Sequence, residues 1–253
     1  MTHRRGVRGC ALAVIAIASS ACAPKGPRSA PLAPPTLAEW TAARARLASL
    51  RAEIVPRTLR VALALREPVT GRVLEARGAL AVAPPASLRM ILLGPGGTTA
   101  LDLWIQGDRY RFAVPAIDLL KRGDASSPRE ARRGLPVDFL RWWLLHAADG
   151  RLLWASREAT TWDLLLRDGD AIVELHAADS GAVTARRTTW TLLPTRSQLD
   201  EETVDAERVG CGKVRYHQAS TGLEVTVRCE GEEPTRPSPR AFVDPDTLSE
   251  DER

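Results

Sequence analysis

The sequence has no asparagine, and only three of its 35 basic residues are lysines (Lys25, Lys121, Lys213), an arginine bias that a GC-rich genome produces. Without asparagine, tight turns fall to Pro-Gly, Gly-Asp and Asp-Gly, which punctuate the chain at 94–97, 107–108 and 168–170. Histidine is scarce, and His146, His176 and His217 stand far apart with no HExxH or CxxC, so no metal site is expected. Gly94-Pro95-Gly96-Gly97 lacks the Lys-Ser/Thr of a phosphate-binding loop and precedes a strand, so it reads as a turn. There is no G-x-S-x-G elbow, and Asp163 with Glu174 reads as a pair of solubilising acids on a hairpin. No catalytic residue and no cofactor is predicted, and the chain is read as a non-enzyme. The net charge of +4 includes three arginines (Arg4, Arg5, Arg8) in the first 21 residues, which hold no acid. The remainder carries 32 basic against 31 acidic side chains, and its seven tryptophans are dispersed, so no nucleic-acid partner is expected.

No long apolar run follows the N-terminal segment. That segment, residues 1–21, has a basic start, a short apolar core from Cys10 to Ala18, and small residues before Cys22. It reads as a secretory signal, its core too short to span a bilayer. Small residues followed at once by cysteine resemble the bacterial lipobox, although Ser19 stands where that pattern usually has leucine. The resemblance implies diacylation of Cys22 and a lipid-anchored protein; cleavage at an ordinary Ala-x-Ala-like site is the alternative. Ala23 is not aspartate, which by resemblance to enterobacterial sorting implies the periplasmic face of the outer membrane. Residues 22–35 are rich in proline and small residues and form a tether, reaching up to roughly 40 Å at about 3.1 Å per residue.

The folded domain is expected over 36–230. Thr36-Leu37-Ala38-Glu39 is a capping box, with Leu37, Trp40, Leu47, Leu50 and Ile54 on one side of the helix it opens and Pro56 ending it. Strands follow at 58–66 and from Gly71 into Ala83. Residues 77–115 then alternate with the period of a half-buried antiparallel sheet. Pairing Leu93 with Thr98 sets Met90 by Leu101, Leu88 by Leu103 and Arg89 by Asp102; the next turn sets Ile105 by Tyr110, Leu103 by Phe112, Leu101 by Val114 and Trp104 by Arg111. Across Pro84-Pro85-Ala86, Leu80 meets Met90 and Val82 meets Leu88. One face therefore gathers Leu80, Val82, Leu88, Met90, Leu101, Leu103, Ile105, Tyr110, Phe112 and Val114.

Residues 121–134 read as a basic loop, either solvated or touching lipid headgroups. Residues 135–146 form a helix apolar nearly all round, which must be covered on most sides, and Phe139, Trp142 and Trp143 are its bulkiest side chains. More strands are expected at 151–156, 160–167, 171–177 and 183–192. Trp162, Leu164, Leu166, Val173 and Leu175 share a face across the Asp-Gly turn. Residues 194–206 read as a polar, acidic connection. Cys211 and Cys229 are nearly equidistant from the turn at 219–222, so in an exported protein they read as a disulfide, with two free buried thiols as the alternative. Residues 231–253 are proline-rich and acidic and are expected to be disordered.

About eleven antiparallel strands with a first helix and a second helix after the fifth strand make the chain mainly β with helices (α+β). Gly78-x-Leu80-x-Val82-x-Pro84-Pro85-x-x-Leu88-Arg89, then LLGPGG, then LDLWIQGDRYRF, set after a lipobox and tether, resemble the LolA/LolB-type lipoprotein carriers. That resemblance implies an incompletely closed barrel with helices as a lid, and binding of lipid or lipoprotein acyl chains. Leu88, Met90, Leu101, Leu103, Ile105, Tyr110, Phe112, Phe139, Trp142 and Trp143 would line the cavity. The pattern equally admits a structural or assembly lipoprotein of the cell envelope with a closed core. No protein partner is identified.

Overall fold

A computed structural model describes residues 34–247, apart from 69, 125, 193–196 and 211. The signal segment, Cys22, most of the tether and Cys211 lie outside the described residues. Helix α1 (Leu37–Ala52) starts at the Thr36 cap: the Glu39 amide donates to Thr36 Oγ1 at 3.2 Å, and the Thr36 amide donates to the Glu39 carboxylate at 2.7 Å. This reciprocal pairing satisfies two amides that no earlier turn can reach. Ala43, Leu47 and Leu50 are buried, whereas Leu37, expected on the apolar side, is 81% exposed because it precedes the point where the helix first meets the core.

Thirteen strands make one antiparallel sheet: β1 (Arg57–Arg66), β2 (Val73–Ala83), β3 (Ser87–Leu93), β4 (Thr99–Gln106), β5 (Arg109–Val114), β6 (Leu119–Gly123), β7 (Arg151–Glu158), β8 (Thr161–Asp168), β9 (Ala171–Ala178), β10 (Val183–Leu192), β11 (Ser197–Ala206), β12 (Lys213–Gln218) and β13 (Leu223–Glu232). Each strand pairs with its neighbours in sequence except at one seam, where β1 pairs with β13 and welds the run β1–β6 to the run β7–β13. The sheet does not close, and β6 and β7 are its edges. Between them the chain forms helix α2 (Val137–Arg141), which continues as a π-helical turn, Trp142–His146.

The strand count exceeds the expected eleven by two. Strand β6 takes the start of the segment read as a loop, pairing Val114 with Leu119 and Tyr110 with Gly123. Strand β11 replaces the expected acidic connection. Its alternation was masked because two of its inward-facing positions are acids, Asp200 and Glu202, ahead of Val204 and Ala206. The faces are otherwise as the pattern requires, with all ten residues of the first apolar face in the core cluster together with Trp162, Leu164, Leu166, Val173 and Leu175. Pairings of β2 with β3 and of β4 with β5 follow the expected register at Leu80–Met90, Val82–Leu88, Leu103–Phe112, Trp104–Arg111 and Ile105–Tyr110. The β3–β4 register is shifted by two residues: Met90 meets Leu103 and Leu88 meets Ile105. A 3-10 turn at Pro95–Gly97 and a bulge at Leu92/Leu93 lengthen that connection. An even shift keeps every side chain on its face, so burial is preserved while the partners change. Asp163 likewise pairs with His176 rather than with Glu174, its Oδ1 2.5 Å from His176 Nδ1.

Residues 231–247, expected to be disordered, are ordered, and the rest of that segment, 248–253, lies outside the described residues. Strand β13 runs to Glu232, and the Glu233 amide donates to the Thr58 carbonyl at 2.8 Å. The chain then makes a 3-10 turn, Pro239–Phe242, packed on β3 and β4. We call residues 233–247 the strap. Trp104, Ala81 and Ala113 point away from the main core yet are buried, and Trp104 Nε1 donates to the Phe242 carbonyl at 2.9 Å. Composition argued for disorder because the strap has little apolar surface of its own. It is held by one aromatic side chain and by ion pairs to arginines that the strands supply.

Candidate functional site

The site is built on the inner face of the sheet. In β3 and β4 the side chains of Leu88, Met90, Leu101, Leu103 and Ile105 have no exposed surface, and Tyr110 and Phe112 of β5 are only 2% exposed. Phe139, Trp142 and Trp143, from the segment between β6 and β7, are also buried. The inner face is therefore occupied by the chain's own aromatic plug. Trp142 and Trp143 meet edge to face with centroids 6.0 Å apart.

The plug reaches across to the strands that follow it. Phe139 stacks on Tyr216 of β12 at 4.1 Å and 16°. The Arg187 guanidinium of β10 lies over the Trp142 ring at 5.6 Å. Beneath them is a buried polar network that the sequence reading missed. Glu202, 1% exposed, accepts from the Tyr216 hydroxyl at 2.6 Å and from Arg187 at 3.0 Å, while Arg187 also approaches Asp168 at 3.6 Å. Nearby, Gln218 donates to Asp200 at 2.8 Å. Burial, and then the charge of Glu202, raise the Tyr216 hydroxyl well above its ordinary pKa, so it stays a hydrogen-bond donor. The one available signal was the run Asp200-Glu201-Glu202 set in an alternating segment, with a tyrosine and a glutamine on the strand that follows.

At the rim, a polar cleft of about 440 Å³ lies beside Trp142, lined by Asp108, Arg132, Asp138, Arg141, Asp149 and Arg187 among others. Arg132 donates to Asp138 at 2.9 Å, and Arg141 donates to the Asp108 carbonyl at 3.1 Å. Burial lowers the Arg141 pKa, partly offset by Asp138. Among the described residues no group of three or more His, Cys, Asp or Glu side chains could hold a metal ion.

Four features bear on whether the plug is fixed. It hangs between Gly134 (φ +79°) and Gly150 (φ +135°), both in backbone that L side chains rarely adopt. The indole N–H groups of Trp142 and Trp143 are buried without a hydrogen-bond partner. A buried N–H left unpaired costs roughly 1–3 kcal/mol. A π turn within a helix is itself concentrated at functional sites. Anchoring opposes these: Arg51 of α1 donates to the carbonyls of Ala148 and Gly150 at 2.9 and 3.0 Å, holding the far end of the segment.

Of the expected cysteine pair, Cys211 is outside the described residues. Cys229 is in β13, and its amide donates to the Gly212 carbonyl at 3.0 Å, which brings the chain next to Cys211 alongside it.

No protein-family model and no curated protein matches the chain. Among solved structures it is similar to a LolA superfamily protein from Nitrosomonas europaea, with TM-score 0.55 and 12% identity over 81% of this chain and 99% of that one. A putative outer membrane lipoprotein-sorting protein domain from Vibrio parahaemolyticus gives 0.45 and 9% over 78% and 95%. A DUF1329 family protein from Desulfovibrio piger gives 0.48 and 10% over 83% and 99%. The chain thus has a LolA-like fold, a likeness of architecture at an identity too low to carry function across.

Proposed function

We propose that the protein is a lipid-anchored envelope lipoprotein that binds the acyl chains of lipids or lipoproteins on the inner face of its sheet, with the α2 segment as a lid that fills the site when empty. One observation supports this reading: a continuous apolar face on a LolA-like sheet is covered by an aromatic segment whose two indole N–H groups have no partner. Phe139, Trp142 and Trp143 swing out, and an acyl chain takes their place against Leu88, Met90, Leu101, Leu103, Ile105, Tyr110 and Phe112. The test is a titration of intrinsic tryptophan fluorescence with a diacylated lipopeptide. A saturable shift is expected, and the absence of any shift up to the lipopeptide's solubility limit sinks the proposal. The complete burial of the face supports a second reading, a structural or assembly lipoprotein whose plug is a permanent part of its core.

The anchor and the cysteine pair belong to the same proposal. Cys22 is the diacylated mature N-terminus, placing the domain at the periplasmic face of the outer membrane on its tether. Cys211 and Cys229 are joined across the β12–β13 hairpin. In the chain-entropy model a loop of this length contributes about 3 kcal/mol. Mass spectrometry of the membrane-extracted protein checks both. The first mature residue should be a lipid-modified Cys22, absent from membranes in Cys22→Ser, and a non-reduced digest should link the peptides holding 211 and 229. An unmodified N-terminus at another residue, or two free thiols, refutes the corresponding half.

A further inference from the structure

The strap crosses the outer face of β3–β6, on the opposite side of the sheet from the plug. That face carries Arg89, Arg109, Arg111 and Arg122 around Trp104, with Asp102 as the acid of the strands bridging Arg89 and Arg111. Onto it the strap brings Phe242, which is 9% exposed, and then Asp244 and Asp246. Asp244 pairs with Arg109 at 2.7 Å, and Asp246 pairs with Arg111 at 3.1 Å and with Arg122 at 2.7 Å. The Arg109 guanidinium also covers the Trp104 ring at 5.2 Å.

We propose that the outer face of β3–β6 is a recognition surface for an acidic peptide segment of a protein partner, with an aromatic residue followed two and four positions later by carboxylates, and that the strap occupies this surface in cis. Three features of the contact read a peptide. Trp104 Nε1 donates to a main-chain carbonyl, the Phe242 ring is buried against β3 and β4, and carboxylates two residues apart meet guanidiniums of β5 and β6. A lipid headgroup offers the anion but neither the carbonyl at that spacing nor the ring. With the strap lifted, four arginines face one aspartate around an uncovered indole, so the surface would be strongly cationic and aromatic. A space of about 240 Å³ remains between the strap and Trp104, Arg111 and Arg122, room for a larger residue than the strap supplies. The bond is electrostatic in part. Partial burial opposes ionisation of Asp246, but Arg122 and Arg111 outweigh it and hold its pKa below the usual carboxylate value. The stabilisation from that pair is therefore complete above the ordinary aspartate range and lost as pH falls through the lowered value.

The experiment uses the full chain and a fluorescein-labelled peptide of residues 238–247. A strap-releasing variant, F242A/D244N/D246N, should bind the peptide saturably and about tenfold or more tighter than the unmutated chain, whose own strap competes at high effective concentration. Binding should weaken with salt, and Arg109→Glu, at an exposed side chain, should weaken it further while leaving the unfolding transition in place. On the unmutated chain, excess peptide should speed amide hydrogen exchange at 240–247. Equal binding by the released and unmutated chains, equal binding of a scrambled peptide, or unchanged exchange overturns the proposal. Binding of the released chain to phosphatidylglycerol vesicles but not to the peptide also overturns it, in favour of a membrane surface.

Discussion

Glu202→Ala is expected to lower the stability of the folded protein by about 3–5 kcal/mol, the range for removing one partner of a buried ion pair. The size follows from what is left behind. Arg187 keeps only the more distant Asp168 and remains pressed against Trp142, while the Tyr216 hydroxyl loses its acceptor in a site where water does not reach. Both stranded groups touch the plug, so the loss should also loosen Phe139 and Trp142. Glu202→Gln retains an oxygen for Tyr216 and gives up only the charge, so it should fall between alanine and the parent. Urea unfolding measures all three. A cost under about 1 kcal/mol for the alanine variant would show that the network is wetter than its burial implies.

Trp143→Ala separates the two readings of the plug. Deleting a buried indole costs about 3–5 kcal/mol where the surroundings do not collapse. In a fixed core that is the whole effect. If the plug is a lid over an acyl site, the space left in the apolar core is of the right chemistry for a chain, so a lipopeptide should bind more tightly and restore part of the lost stability. Trp143→Phe is the control: it removes the unpaired N–H, keeps most of the ring, and should be near neutral or stabilising, with weaker ligand binding. A Trp143→Ala protein that is destabilised but gains nothing from lipopeptide leaves the structural lipoprotein.

The parts of this fold that were legible are those where side-chain period alone decides. Alternation from Leu80 to Val114 assigned the inner face correctly even where the β3–β4 partners were wrong by two, because a pleated strand repeats every two residues and the slip was even. The capping box at Thr36 is local and was readable for that reason. What escaped depends on distant partners. Strand β11 places acids inward, which is tolerable only because Arg187, Tyr216 and Gln218 arrive from neighbouring strands. The strap looks unfoldable by composition until Trp104 of β4 and three arginines of β5 and β6 are set beneath it. At the site, the plug's aromatic residues were identifiable, but their stacking on Tyr216 and Arg187 depends on how the plug folds back onto β10 and β12, which no local pattern records.

That meeting has a kinetic consequence. Eleven of the twelve strand pairings join consecutive strands, most of them through short turns, but β1 must find β13 across nearly the whole domain, with Leu59 against Glu232 and Arg66 against Glu224. The entropy of closing so long a loop has to be met before that single interface returns any stabilisation, and contacts so distant in sequence slow folding. Two half-sheets can thus form early, each with one apolar side still open to water, and wait for the seam. A chain in that condition would expose, for a time, the same surface it later hides beneath its plug, which makes the joining of β1 to β13 the step at which aggregation competes with folding.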